Sequence, residues 1–170
     1  MQSQIQQLDW DNLKASLDGE LKIDTLSKMI YATDASVYRE IPLAVVYPKN
    51  NEDLKKLIDF AHQYNIGLTP RTAGTSLAGQ CVTNGIVVDV SKYFTSIINL
   101  DIENSRVTVQ PGVIRDDLNR FLASYGLFFG PNTSTSNRCM IGGMVGNNSC
   151  LLYTSPSPRD GATSRMPSSA

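Results

Sequence analysis

Metal-binding residues are scarce in this chain, which has one histidine and three cysteines in 170 residues. Cys81, Cys139 and Cys150 form no CxxC pair, which excludes the usual metal-ligand spacings. An odd number of cysteines in a chain without a secretory leader argues for free thiols. Cys81 reads either as a small buried hydrophobe or as a reactive thiol. His62 falls inside a helical stretch, far in sequence from any candidate nucleophile, and reads as structural or solvated. Long apolar runs are also missing: stretches such as Ile86-Val87-Val88 are too short to span a bilayer. Met1 to Asp9 is polar, with no apolar core of a signal peptide. A cytoplasmic location, membrane-peripheral at most, is therefore expected. Neither sign of charge dominates: 15 Lys and Arg against 16 Asp and Glu leave a net charge of −1, which gives no nucleic-acid footprint. The common nucleotide and hydrolase motifs are absent too. There is no GxxxxGK[ST], and no GxGxxG opening a helix. Gly74-Thr75-Ser76-Leu77-Ala78 misses the GxSxG nucleophile elbow, because position 78 is alanine.

What is present describes a globular protein, with 41% apolar and 18% charged residues. Ile5, Leu8, Leu13 and Leu17 have helical spacing and predict a helix over 4–17. Asp24 or Thr25 can cap a short helix through Met29. Leu43-Ala44-Val45-Val46-Tyr47 is a β-rich run stopped by Pro48. Asn50 or Asn51 then caps a helix whose positions Leu54, Leu57, Ile58, Ala61 and Tyr64 are expected on one face. Its end is expected near Asn65-Ile66-Gly67. Leu68-Thr69 opens a strand, and Gly85 to Val90 reads as another. In the second half, 97–101 and 106–110 flank Glu103-Asn104-Ser105 as a hairpin. A helix is expected from Ile114 to Ser124 with Leu118, Phe121 and Leu122 inward, followed by a short apolar return at Gly126–Pro131. Strands and helices do not interleave evenly, which favours an α+β fold.

Two clusters carry the functional signal. The first, Pro70-Arg71-Thr72-Ala73-Gly74-Thr75-Ser76-Leu77-Ala78-Gly79-Gln80, follows a short apolar strand. Glycine lets backbone amides approach a ligand closely, and successive N–H groups in such a turn form a concave anion site. An extended phosphate or pyrophosphate fits there, and so does the plainer reading of a polar loop with glycine at its tight positions. The second runs from Pro131 to Arg138 and on through Ile141-Gly142-Gly143-Met144-Val145-Gly146-Asn147-Asn148. It can close on the same ligand from the other side or serve as a packed turn. After Cys150 the composition changes: 13 of the last 20 residues are Ser, Pro, Thr, Gly or Ala. This tail lacks any apolar period and is expected to be disordered. LLYTSPSPRD and SRMPSSA resemble the translation of a sequencing adapter, so the tail is expected to be artefactual and the chain truncated. The alternative is a genuine disordered terminus with a phosphorylatable Ser-Pro pair.

PRTAGTSLAGQ, GIVVDVS, VQPGVIRDDLN and FFGPNTSTSNRCMIGGMVGNNSC, in this order, resemble the FAD-linked oxidase family. Its FAD-binding module is of the p-cresol methylhydroxylase and vanillyl-alcohol oxidase type. The upstream YATDASVYREIPLAVVYPKNNEDL is similar to the start of that module. Within the family the chain looks most like the D-lactate, glycolate and D-2-hydroxyglutarate dehydrogenases, especially those fused to an iron–sulfur region. The resemblance implies a two-lobed α+β domain: a helical lead-in over 1–41, a first lobe over 42–95, and an incomplete second lobe over 96–150. Residues 151–170 form the tail. It also implies a non-covalent FAD, since Thr72 and Ala73 stand where covalent members often carry histidine. Arg71, Thr72, Ala73, Gly74, Thr75, Ser76, Leu77, Gly79 and Gln80 match the first cofactor-contacting stretch. Pro131, Thr133, Ser136, Ile141, Gly142, Gly143, Gly146 and Asn147 match the second. No catalytic residue and no metal ligand carries over onto this chain. For the whole protein the implied reaction is oxidation of a small 2-hydroxy acid by FAD. Electrons would then pass to an iron–sulfur centre, a quinone or a cytochrome. Members of the same family that leave other readings open are sugar or alcohol oxidases, NADPH-dependent reductases and non-catalytic FAD-binding subunits.

Overall fold

The structure is a computed structural model that describes residues 8–149. Asp9 caps helix α1 (Trp10–Ser16), its carboxylate accepting from the Asn12 amide at 3.0 Å. The helix expected over 4–17 is thus seen from Trp10, and Leu17 is already extended. Strand β1 (Glu20–Lys22) follows, three residues that are too short to show an alternating pattern in sequence. Asp24 caps α2 (Thr25–Ile30) through the Ser27 amide. Next come β2 (Ala44–Tyr47), α3 (Asn51–Tyr64), β3 (Leu68–Arg71) and β4 (Ile86–Asp89). Asn50 caps α3, and the helix ends where Asn65 turns left-handed at φ 53°, so asparagine rather than Gly67 makes the C-cap.

These strands form one sheet in the order β1-β2-β4-β3. β2 and β3 both run parallel to β4, and β1 is antiparallel to β2. The chain crosses from β2 through α3 to the far edge, and β4 then fills the gap. Val45 and Val87 are fully buried on one face of the sheet, and Ala44, Val46 and Ile86 on the other. Parallel strands covered on both faces have this continuous apolar character. α3 contributes Leu57, Phe60 and Ala61 to the core. Ile58, expected on that face, is 58% exposed. It is roughly 100° of helix rotation past Leu57, while Phe60 and Ala61 return to Leu57's side.

The second unit pairs β5 (Ile97–Asp101) with β6 (Arg106–Val109) in an antiparallel ribbon, with an irregularity between Ile97 and Asn99. Helices α4 (Arg115–Ala123) and α5 (Ile141–Gly146) complete it. Val113, Leu118 and Leu122 form its buried centre, with Ile97, Leu100, Val107, Val109 and Phe121 packed around them. The return at 126–131 forms no strand. It is clamped instead by Asn119, whose Oδ1 accepts from the Phe129 amide and whose Nδ2 donates to the Phe129 carbonyl. Gly112 joins the two units: its amide donates to the Phe94 carbonyl at 2.7 Å, and a Cβ there would lie 2.9 Å from the Val90 carbonyl. The result is a mixed helix-and-sheet α+β fold, and among the described residues no helix is long and apolar enough to cross a membrane.

Candidate functional site

The first glycine-rich segment leaves the C-terminal end of β3 at Arg71, beside the end of β4 at Asp89. Its shape rests on two residues in the left-handed region, Gly74 at φ 65° and Gly79 at φ 72°. Ser76 is buried, and its hydroxyl donates to Gln80 Oε1 at 2.6 Å while accepting from the Ala78 amide. Ser76 and Gln80 therefore brace the turn from inside. Leu77 stands at the tip, 81% exposed. None of the amides from Thr72 to Leu77 donates to a protein acceptor among the described residues. With residues 72–75 half-buried and Leu77 exposed, this row of amides is open to an anionic ligand.

The second segment is brought to the first by α5. Thr72 Oγ1 lies 2.7 Å from where a Cβ on Gly143 would stand, so the two segments touch across a glycine. A helix with glycine at 142, 143 and 146 was not signalled by propensity, because glycine disfavours helix interiors. Tertiary bonds hold it in place: Ile141 donates to the Val113 carbonyl at 2.9 Å and Gly142 to the Pro111 carbonyl at 2.8 Å. Gly142 is packed so closely that a Cβ would meet Pro111 at 2.5 Å.

The expected site residues thus fall into separate roles. Thr72 and Gly143 are in contact. Ala73, Gly74, Thr75 and Gly79 line the first loop. Ile141 and Gly142 already use their amides within the second unit. Thr133 pairs with Cys139, Oγ1 to Sγ 2.9 Å, and Ser136 donates to Asp116 at 3.1 Å, so both hydroxyls are engaged internally. Pro131 accepts from Arg115 Nε at 2.9 Å. Gly146 and Asn147 lie exposed at the end of α5.

The sequence reading missed a third participant, the stretch from Tyr31 to Arg39. Arg71 Nη1 donates to the carbonyls of Thr33 at 2.9 Å and Tyr31 at 3.4 Å, and its guanidinium lies 4.9 Å over the Tyr31 ring. The Tyr31 hydroxyl donates to the buried Asp89 carboxylate, whose other oxygen accepts from the Ser91 amide. Burial and the Asp89 hydrogen bond push the Tyr31 phenol far above its ordinary range. Asp34 Oδ2 is buried with no hydrogen-bond partner among the described residues. Burial opposes the Asp34 charge, but the Ser36 hydroxyl and amide outweigh it and hold the carboxyl below its usual range. Cys81 is half-buried, and burial raises its thiol. Cys150 lies outside the described residues. His62 is exposed in the last turn of α3, and no group of three or more potential metal ligands exists among the described residues.

The chain is 40% identical over 131 residues to D-2-hydroxyglutarate dehydrogenase of Haemophilus influenzae, covering 75% of this chain and 13% of that protein. It is 37% identical over 112 residues to the mitochondrial D-lactate dehydrogenase [cytochrome] of Kluyveromyces lactis, covering 64% of this chain and 19% of the relative. The chain therefore spans well under a third of these relatives. Among solved structures, alkyldihydroxyacetonephosphate synthase superposes with a TM-score of 0.69 at 20% identity, covering 79% of this chain and 30% of that one. p-Cresol methylhydroxylase superposes with 0.66 at 18%, covering 86% and 28%. A family model described as an FAD binding domain matches residues 42–155, from the start of the parallel sheet through both glycine-rich segments. With that match over most of its length, and a fold shared with p-cresol methylhydroxylase, this chain belongs to the FAD-binding-domain family.

Proposed function

We propose that this chain is the FAD-binding part of a flavin-dependent dehydrogenase that oxidises a small 2-hydroxy acid of the D-lactate, glycolate or D-2-hydroxyglutarate type. The observation that carries the reading is the contact of Thr72 with Gly143, which sets two glycine-rich segments against one another beside the C-terminal ends of parallel strands. The loop suits the pyrophosphate of FAD on two counts. Its amides from 72 to 77 have no protein acceptor among the described residues, and glycine at 74 and 79 allows the left-handed turns that shape the loop. Thr72, Ala73, Gly74 and Thr75 would hold the pyrophosphate from one side, with Gly143 and the residues after it on the other. Bound FAD would supply the two-electron acceptor for the substrate α-carbon. This chain's own residues would bind and orient it. We read the attachment as non-covalent, because Thr72 and Ala73 stand where covalent members of the resembled family often carry histidine. The electron acceptor we assign lies beyond this chain: an iron–sulfur centre, a quinone or a cytochrome.

The test uses the full-length protein that carries this chain. It should purify yellow, release its flavin into the supernatant on acid precipitation, and lose its flavin absorbance under anaerobic D-2-hydroxyglutarate, D-lactate or glycolate. A colourless protein that takes up no FAD overturns the cofactor assignment. A flavoprotein that none of these acids bleaches overturns the substrate class.

A further inference from the structure

The two left-handed glycines of the 72–80 loop rest on side chains that come from outside it. A Cβ on Gly74 would lie 2.6 Å from Arg71 Nη2 and 2.9 Å from Nε. The guanidinium cannot retreat without releasing the carbonyls of Tyr31 and Thr33 and the face of the Tyr31 ring. A Cβ on Gly79 would meet Tyr38 at Cδ2, Cγ and Cβ, the first at only 2.6 Å. Both props are themselves fixed by the 31–39 stretch. Thr33 and Arg39 bridge its ends. Asp34 Oδ1 accepts from the Ser36 amide at 2.8 Å, and Ser36 Oγ accepts from the Tyr38 amide at 3.1 Å. Tyr31 is anchored through its hydroxyl to Asp89, at the end of the strand next to β3.

We propose that residues 31–39 are a template that holds the 72–80 loop in its anion-binding shape, with Arg71 and Tyr38 as positioning residues that do not themselves contact the cofactor. The inference rests on the FAD reading above. It changes what the arginine is for. An arginine beside a phosphate loop invites assignment as a charge partner of the pyrophosphate. Here Nη1 donates to two backbone carbonyls and the guanidinium plane faces a tyrosine, which pins the group in place with Nε and Nη2 packed against Gly74 as a steric prop. Tyr38 is 57% exposed and uncharged, and it does for Gly79 what Arg71 does for Gly74. A loop ordered before binding loses less freedom when the ligand arrives, and affinity rises accordingly.

The experiment measures FAD affinity of the full-length protein by flavin fluorescence at several salt concentrations. Tyr38→Ala and Arg71→Met should each weaken FAD binding by about tenfold or more. Tyr38→Phe keeps the ring and should bind as the unmodified protein does. The salt dependence of Arg71→Met should run parallel to that of the unmodified protein, since no phosphate ion pair has been lost. Unchanged affinity in Tyr38→Ala, or a flattened salt dependence in Arg71→Met, would overturn the template while leaving the FAD reading intact. An unmodified protein that takes up no FAD would overturn the FAD reading, and the template with it.

Discussion

Asp53 shows how much a single side chain organises here. It is fully buried on α3, accepting from the Asp18 amide through Oδ1 and from the Lys49 amide through Oδ2, both at 2.9 Å. It thereby ties the α1–β1 turn to the start of α3. Asp53→Ala leaves two amides without their acceptor and should lower stability by about 1–3 kcal/mol, read from urea unfolding. Asp53→Asn should not restore it, because the amide nitrogen would face a donor. Gly143 is the corresponding residue at the site. Gly143→Ala places a methyl against Thr72 Oγ1 and should weaken FAD binding by about tenfold or more, with Thr72→Ser, which keeps the hydroxyl, binding nearly normally. Equal FAD affinity in Gly143→Ala would show that the two segments do not close on one ligand.

At the scale of elements, the edge strand β1 depends on charge. The Glu20 carboxylate accepts from Lys92 and from the Tyr93 hydroxyl, which hold its pKa down from 4.5 to about 2. A carboxyl with a lowered folded-state pKa stabilises the fold fully above its unfolded pKa, and that contribution is lost as pH falls through the folded value. Stability should therefore decline between about pH 4.5 and pH 2, and Glu20→Gln should flatten that decline in acid-unfolding measurements. In the second unit the elements rest on a small core. Leu118→Ala, at a residue only 1% exposed between α4 and the ribbon, should cost about 2–5 kcal/mol by urea unfolding. The elements with strong local signals were legible in sequence. Leu43 to Tyr47 and Gly85 to Val90 announce buried strands, and Asn50 announces α3. β1 and α5 were not legible. β1 has three residues, and α5 has glycine at half of its six positions, so only tertiary pairing with β2 and with Pro111 and Val113 defines them. The 72–80 loop announced itself through its glycines. Its template did not: the stretch from Tyr31 reads only as similar to the start of the module, because Tyr31, Asp34 and Tyr38 lie some forty residues earlier and no spacing assigns them a contact with the loop.

The whole molecule keeps considerable apolar surface uncovered. Leu26, Ile30 and Val37 are exposed at the N-terminal side, and Phe128 and Val145 beside the second glycine-rich segment. Exposed large apolar side chains of this kind weigh against solubility of the chain by itself, and the chain spans only 13% of the length of its Haemophilus influenzae relative. The 170-residue chain expressed alone should therefore be insoluble or free of flavin, as absorbance at the flavin band would show. A soluble, yellow monomer with stoichiometric FAD would refute this. The two glycine-rich segments are expected to act on one cofactor. Hydrogen exchange of the full-length protein with and without FAD tests it most directly. Amides at 72–77 and at 143–147 should both gain protection when FAD binds, while those of α3 stay unchanged. Tight FAD binding with no added protection in either segment would contradict the account.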